Sequence, residues 1–154
     1  MTDATLLVTG AAGFTGRHLM GAANQRGYRC IAMAQHDAQQ ESDPYPTLIA
    51  DLLDPASLEH AILEVKPDYI VHLAAISFVA HGSAAEIYQV NQLGTINLLE
   101  AIRKNAPEVK KVLIASSANI YGNTAALPIT ESVPPVPVNH YGMSKVTMEL
   151  ATRL

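Results

Sequence analysis

The chain has 154 residues, of which 49% are hydrophobic and 16% are charged, and its formal net charge is −4. This composition is typical of one folded domain with a substantial core, and it excludes intrinsic disorder. Lysines and arginines are few and scattered, which argues against a nucleic-acid partner but not against local binding of an anionic small molecule.

The N-terminal residues give no sign of export or membrane insertion. The first apolar run lacks a basic region before it and a small-residue cleavage pattern after it, so we expect no signal peptide. No apolar run is long enough to span a bilayer. The single cysteine, Cys30, excludes an internal disulfide and is expected to be a buried small hydrophobe. These features predict a cytoplasmic protein with no membrane partner.

A glycine-rich motif follows the first predicted strand, 6–9, and precedes a predicted helix at 17–26. Gly10 permits a sharp turn, Gly13 lets the backbone approach a pyrophosphate, and Gly16 lets the helix pack closely on the strand. The N–H groups at the start of the helix favour an anion. The motif predicts a dinucleotide cofactor. A simple glycine-rich turn is the alternative, and the strand before it and the helix after it favour the cofactor.

Strands and helices alternate along the rest of the chain. The apolar runs predict strands at 29–34, 47–50, 69–74 and 112–115, and helical periodicity with capping signals predicts helices at 54–65, 84–104 and 141–154. Two proline-containing segments, 35–46 and 122–140, are predicted to be irregular. This alternation predicts an α/β fold, a doubly wound Rossmann-type parallel sheet with helices on both faces. Its ligand should lie at the carboxyl ends of the strands, where the strand order reverses.

The second half of the chain carries groups suited to proton transfer. Tyr141 and Lys145 are one helical turn apart and share a helix face. A lysine ammonium near a phenol favours the phenolate, and a serine at the end of the strand 112–115, Ser116 or Ser117, can hydrogen-bond the same substrate oxygen. This trio suits moving a proton to or from a carbinol oxygen while hydride moves to or from a nicotinamide. A solvated helix face is the alternative for the tyrosine and lysine.

These features together resemble the extended short-chain dehydrogenases/reductases, in the NAD-dependent epimerase/dehydratase group that acts on nucleotide sugars. The matching segments run from 6–16 through 51–52, 72–75, 91–101 and 116–122 to the Tyr141 and Lys145 pair, which is nearly the whole chain. The closest resemblance, which also draws on 76–79, is to GDP-4-keto-6-deoxy-mannose reductases and their relatives.

The resemblance implies a set of cofactor-binding residues and no metal site. The pyrophosphate would be held by the glycine loop, the adenine would be bracketed after the third strand, and the fourth strand and a helix would line the rest of the cofactor. The residues implied are Gly10, Gly13, Phe14, Thr15, Gly16, Asp51, Leu52, Leu73, Ala74, Ala75, Asn91, Tyr141 and Lys145. Asp51 could instead simply start a loop, and Asn91 could be an ordinary polar helix residue.

The resemblance also implies three catalytic residues. Ser117 matches the catalytic hydroxyl, because the family places it four residues before the tyrosine of a Tyr-Gly pair, here Tyr121 and Gly122. Tyr141 matches the acid/base, and Lys145 the residue that activates the tyrosine and holds the nicotinamide ribose. The residues after Ser117 are Ala118 and Asn119 rather than acids, which favours a reductase or epimerase over a dehydratase.

The function predicted is therefore reduction of a 4-keto-6-deoxy nucleotide sugar by an NAD(P)-dependent oxidoreductase. The alternatives are a 4-epimerase, a dehydratase, or a dinucleotide-binding module without turnover. The family commonly forms homodimers through the helices at 84–104 and from 141, so we expect a homodimer.

Two departures from the family pattern bear on these expectations. Met33-Ala34-Gln35-His36 ends the second strand without the acid typical of NAD-preferring relatives and without an arginine for a 2′-phosphate, which leaves NAD and NADP open with a lean to NADP or dual use. The family also continues with more strands and a C-terminal sugar-nucleotide domain. Residues 1–154 are thus expected to be an incomplete Rossmann domain, lacking the substrate domain and inactive alone.

Overall fold

The computed structural model of the protein describes residues 4–36, 44–77 and 82–154. Most of the predicted loop 35–46, and Phe78 and Val79 of the segment 76–79, lie outside the described residues. The chain divides into two compact units. The sheet unit comprises Met1–Ala74 and Asn97–Ala115, and the helical unit comprises Ala75–Ile96 and Ser116–Leu154. Among the described helices, none combines the length and apolar character needed to cross a membrane.

The sheet unit contains a five-stranded parallel sheet with the order β3-β2-β1-β4-β5. The strands are β1 (Thr5–Thr9), β2 (Arg29–Ala34), β3 (Thr47–Ile49), β4 (Tyr69–His72) and β5 (Lys111–Ile114). After β1 the chain builds outward to β2 and β3 and then returns to the other side of β1 for β4 and β5. The strand order therefore reverses between β1 and β4, which confirms the doubly wound Rossmann-type fold.

Side chains of β1 alternate between two cores, one on each face of the sheet. Leu6 and Val8 pack with Met20 and Ala23 of helix α1 (Phe14–Gln25). Leu7 lies on the opposite face with helix α2 (Pro55–Val65) and with the part of helix α4 (Gly94–Asn105) that follows residue 96. Cys30 belongs to the α1 side and is buried, as predicted, and this burial raises the pKa of its thiol.

Element boundaries differ from the prediction by a few residues. Helix α1 begins at Phe14 rather than at residue 17, because Gly13 is already its extended N-cap. Strand β4 ends at His72 because its partner β1 ends at the paired Thr9. The predicted start of α2 is confirmed, since the Asp54 carboxylate accepts hydrogen bonds from the N–H groups of Ala56 and Ser57.

The helical unit contains the remaining elements. Helix α3 (Ala84–Tyr88) runs without a break into a π-helical turn (Gln89–Leu93) and then into α4, where a single regular helix was predicted. A 3₁₀ turn (Ala118–Tyr121) and helix α5 (His140–Ala151) complete the unit, and α5 packs against α3, the π-helical turn and the 3₁₀ turn. The proline-containing segment between Gly122 and Asn139 has no helix or strand, as predicted.

Candidate functional site

The glycine loop of the sheet unit connects β1 to α1 at the point where the strand order reverses. Gly10 has φ +69°, and a Cβ there would lie 2.7 Å from the backbone nitrogen of Ala74. A Cβ on Gly16 would lie 2.4 Å from the carbonyl oxygen of Gly10. Both positions require glycine for the loop to close, because backbone atoms cannot move aside for a side chain.

Gly13 differs from its two neighbours in the motif. Its φ and ψ of −71° and 168° are open to any residue, and the nearest atom to a Cβ there is the Gly10 oxygen at 3.2 Å. The backbone conformation of Gly13 therefore does not require glycine, but a Cβ would press on the Gly10 oxygen, and this contact is less severe than those at Gly10 and Gly16. The start of α1 has no side-chain cap and no acidic residue in its first turn, so its N–H groups are available to an anion. The uncapped N–H groups, together with a glycine N-cap that carries no side chain, fit the pyrophosphate of a dinucleotide.

The other residues predicted for the cofactor in the sheet unit follow the carboxyl ends of the strands. Thr9 Oγ1 is hydrogen-bonded to His72 Nδ1 at 2.6 Å and accepts from the N–H of Ala74 at 3.1 Å, which ties the end of β1 to the residues after β4. Asp51 follows β3, and Leu52 accepts a hydrogen bond from the Asn97 amide at 2.9 Å. Phe14 is 84% exposed, with its ring against that of His18, and Thr15 is also exposed.

The helical unit carries the predicted catalytic residues. Tyr141 and Lys145 are only 8% and 4% exposed on α5, so the alternative of a solvated helix face is wrong. Burial lowers the pKa of Lys145 by disfavouring the ammonium, and the carboxylate of Glu149, one turn further on, acts in the opposite direction. Tyr141 lies one helical turn before this lysine. A lysine ammonium in a buried environment can stabilise a nearby phenolate more strongly than one in water.

Ser117 and Ser116 differ in how their hydroxyls are used. Ser117 Oγ accepts hydrogen bonds from the backbone N–H of Asn119 at 3.2 Å and from its side-chain amide at 3.3 Å. In both bonds the serine is the acceptor, so its own proton can go to another oxygen. Ser116 instead donates its proton to the carboxylate of Glu149. This difference favours Ser117 as the hydroxyl that holds a substrate oxygen.

Asn91 lies in the π-helical turn and is fully buried. Its Oδ1 accepts from the N–H of Ile76 at 2.8 Å, and its Nδ2 donates to the Ile76 carbonyl and to Ser144 Oγ, both at 3.0 Å. Ser144 in turn donates to the carbonyl of Tyr141 at 2.7 Å. Asn91 therefore links the chain after β4 to the first turn of α5, and all of these bonds are to groups of the protein itself.

Sequence reasoning overlooked two residues of this region. Ser144 stands between Tyr141 and Lys145 in the motif, and its spacing of three residues from Tyr141 is the signal that could have shown it. A Cβ on Gly142 would lie 2.6 Å from the carbonyl oxygen of Asn119, so only glycine allows the 3₁₀ turn after Ser117 to pack this closely on α5. Ala75, which was also predicted to line the cofactor, belongs to the helical unit and directly follows Ala74.

A metal site is not found among residues 4–36, 44–77 and 82–154, where no three histidine, cysteine, aspartate or glutamate side chains group in a way that could hold an ion. Ser117, Tyr141 and Lys145 lie in the helical unit, and the glycine loop lies in the sheet unit.

A family model and named proteins match nearly the whole chain. A model of the NAD dependent epimerase/dehydratase family matches residues 6–154. The chain is 37% identical over 145 residues to GDP-6-deoxy-D-talose 4-dehydrogenase from Aggregatibacter actinomycetemcomitans, covering 94% of this chain and 46% of the relative. It is 36% identical over 148 residues to GDP-6-deoxy-D-mannose reductase from Pseudomonas aeruginosa, covering 94% and 44%.

A solved structure with a similar fold is that of the UDP-glucose 4-epimerase from Thermus thermophilus in complex with NAD. The TM-score is 0.87 at 32% identity, and the match covers 97% of this chain and 50% of that one. The chain therefore spans about half the length of the relatives it matches.

Proposed function

Because this chain belongs to the NAD-dependent epimerase/dehydratase family, we propose that it supplies the cofactor-binding and acid–base residues of a reductase acting on a 4-keto-6-deoxy nucleotide sugar. The buried pair of Tyr141 and Lys145, with Ser117 in the same unit, is the observation that carries the proposal. Two relatives named for 6-deoxy sugar nucleotides linked to GDP support the choice of substrate class.

When bound, the reduced cofactor, NADH or NADPH, would supply the hydride to the carbonyl carbon of the sugar. Tyr141 donates its proton to the carbonyl oxygen of the sugar, and the ammonium of Lys145 stabilises the phenolate that remains. Ser117 donates a hydrogen bond to the same oxygen and stabilises the charge that develops on it. The glycine loop holds the pyrophosphate, with Gly10, Gly13 and Gly16 in the roles that the sequence predicts.

Asn91 is assigned a positioning role in this proposal. Both N–H groups of its amide are already donated within the helical unit, and its oxygen already accepts one bond. We therefore assign it to holding the first turn of α5, and with it Tyr141, rather than to a contact with the cofactor through its side chain.

The proposed domain organisation follows from the coverage of the relatives. We propose that residues 1–154 are an incomplete NAD(P)-binding Rossmann domain, and we assign reading of the sugar and of its nucleotide to sequence outside this range. The functional protein is proposed to be a homodimer that works in the cytoplasm.

The test uses protein expressed from the complete reading frame. With a GDP-linked 4-keto-6-deoxy sugar, the wild-type protein should consume NADH or NADPH, and Tyr141→Phe should lower turnover about a hundredfold or more, the usual contribution of a general acid. Tyr28→Phe, which alters a phenol of the sheet unit, is the matched control and should keep normal turnover. Near-normal turnover of Tyr141→Phe would show that the proton comes from another group.

A 4-epimerase is the second candidate, favoured by the likeness to the Thermus thermophilus epimerase. An epimerase returns the hydride to the same carbon and so leaves the amount of reduced cofactor unchanged. Interconversion of UDP-glucose and its 4-epimer without net NADH change would favour it over the reductase.

A further inference from the structure

Gln35 lies at the position where a dinucleotide-binding sheet reads the adenosine ribose. It directly follows β2, which pairs with β1 in a register that aligns Met33 with Thr9. Gln35 therefore stands at the same edge of the sheet as the glycine loop that begins at Gly10. In dinucleotide-binding folds an acidic residue about 20 positions after the glycines binds the ribose hydroxyls, and Gln35 is 19 residues after Gly16.

The Gln35 side chain is held in place by Asp51. Its Nε2 donates to Asp51 Oδ2 at 3.0 Å, and the other oxygen of that carboxylate accepts from the N–H of Leu53 at 2.8 Å. The Asp51 carboxylate is thus held by the backbone that follows β3. It in turn holds the side-chain amide of Gln35, which follows β2. One N–H and the carbonyl oxygen of Gln35 stay outside this bond, and an amide with one donor and one acceptor matches the two neighbouring hydroxyls of a ribose.

The surrounding charge favours a ribose without a phosphate. Among the described residues from Cys30 to Val65 there are four acids, Asp51, Asp54, Glu59 and Glu64, and no lysine or arginine. Lys104 does contact this stretch, but its ammonium is bound by Glu59 at 2.7 Å. A 2′-phosphate next to Gln35 would meet the Asp51 carboxylate directly, and like charges repel. The imidazole of His36, which is exposed, is the cationic candidate closest in sequence.

We propose that Gln35, held by Asp51, binds the adenosine ribose hydroxyls of the cofactor and makes the protein select NAD(H) over NADP(H). This inference rests on the proposed function, since it concerns the same cofactor site. The absence of an acidic residue at the end of β2 suggested NADP or dual use. The structure instead brings a carboxylate to this place from Asp51, which follows β3, and the proposal therefore favours NAD(H).

The experiment is an equilibrium titration of the protein from its complete reading frame with NADH and with NADPH, followed by nicotinamide fluorescence. NADH should bind at least about tenfold more tightly, since lost hydrogen bonds and repulsion of like charges each weaken NADPH. Gln35→Ala should weaken NADH binding about three- to tenfold, the usual effect of losing one or two neutral hydrogen bonds. It should change NADPH binding less.

Two further variants separate charge from hydrogen bonding. Asp51→Asn keeps an oxygen that accepts from the Leu53 N–H and removes the negative charge. It should therefore strengthen the binding of NADPH relative to that of NADH. Glu64→Gln removes one carboxylate from the exposed end of α2 and is the matched control. It should leave the ratio of NADH affinity to NADPH affinity unchanged. His36→Ala should also leave NADH affinity and the ratio close to wild type.

The outcomes separate this inference from the proposed function. If neither cofactor binds, the proposed function fails. If both bind but NADPH is equal or tighter, or if Gln35→Ala and Asp51→Asn leave the ratio of affinities unchanged, the proposed function stands and the selection by Gln35 and Asp51 is overturned. A ratio that collapses in His36→Ala alone would assign the selection to the imidazole and would likewise overturn it.

Discussion

Lys145 is an ionisable residue in an environment far from that of a free side chain. It is only 4% exposed, and burial lowers its pKa below the ordinary value. The unfolded chain binds the proton more readily, so between the lowered native pKa and about 10.4 the stability contributed by this residue rises with pH. The charged lysine is therefore retained at a cost in stability, which is typical of a functional group.

Replacement of Lys145 by methionine tests this coupling. We expect Lys145→Met to be at least as stable as wild type at pH 7, because it removes a buried charge. The difference in free energy of unfolding should then shrink as pH rises toward 10, with a slope of at most about 1.4 kcal/mol per pH unit for one proton. Urea denaturation of both proteins between pH 7 and pH 10 measures it.

Glu149 provides the control for that prediction. Its carboxylate raises the pKa of Lys145, so Glu149→Gln should lower this pKa further and extend the pH-dependent range downward. The same change in the Lys145→Met background should have no such effect. A difference between wild type and Lys145→Met that stays flat with pH would contradict the lowered pKa.

Residue-level prediction from sequence succeeded where spacing alone determines geometry. Tyr141 and Lys145 share a helix face because they are four residues apart, and this needs no knowledge of the rest of the fold. The bonds of Gln35 to Asp51 and of Asn91 to Ser144 join residues 16 and 53 positions apart. Such pairs depend on how strands and helices pack, so the sequence named Asp51 and Asn91 as site residues without showing their partners.

At the scale of elements, prediction was good for type and weaker for boundaries and irregularities. Asp54 and Pro55 marked the start of α2 because capping chemistry is local. The π-helical turn at Gln89–Leu93 was not predicted, since apolar periodicity continues through it. Its cause is tertiary: the inserted turn lets Asn91 bind the backbone of Ile76 and the hydroxyl of Ser144. π-Turns within helices are frequent at functional sites.

The glycine loop and α1 allow structural and binding roles to be separated. Gly16→Ala should destabilise the protein by about 1–3 kcal/mol, the usual cost of overpacking, because its Cβ would meet backbone oxygens. Gly13→Ala should destabilise the protein less than Gly16→Ala does, since its Cβ would meet one backbone oxygen at 3.2 Å and its backbone conformation suits any residue. Gly13→Val should nonetheless abolish NADH binding.

Urea denaturation and NADH fluorescence titration measure these two effects on the same samples. The two alanine variants are matched, since they make the same chemical change three residues apart. Retained NADH affinity in Gly13→Val would place the pyrophosphate elsewhere, and an unstable Gly13→Ala would show that this glycine serves the fold.

At the scale of the whole molecule, the doubly wound parallel sheet was predictable because alternating strands and helices leave few topologies for such a chain. The division into two units was not. The chain passes from one unit to the other after Ala74, Ile96 and Ala115, and the second of these points lies inside α4. A boundary inside a regular helix has no signature in composition or turn residues. Most of the proposed cofactor residues are thus in the sheet unit, and the acid–base residues are in the helical unit.

Association is the remaining property at this scale, and the helical unit carries an apolar surface suited to it. Met143 and Leu150, two turns apart on α5, are 41% and 55% exposed, and Leu93 of the π-helical turn is 51% exposed. Exposed apolar side chains on one helix face are typical of an interface, and a self-complementary face generates a symmetric dimer. We therefore predict that this face joins two copies of the protein.

Met143→Glu or Leu150→Glu should convert the dimer to a monomer, because burying an unpaired charge costs several kcal/mol. Light scattering across a range of protein concentrations would measure this with the product of the complete reading frame. Leu63→Glu is the matched control: Leu63 is 52% exposed, but it lies on α2 of the sheet unit, so the variant should remain dimeric. A wild-type monomer at the highest concentration would exclude the dimer. A dimer that survives both α5 variants would assign the interface to another surface, since no symmetric contact through this helix face could accommodate two buried carboxylates.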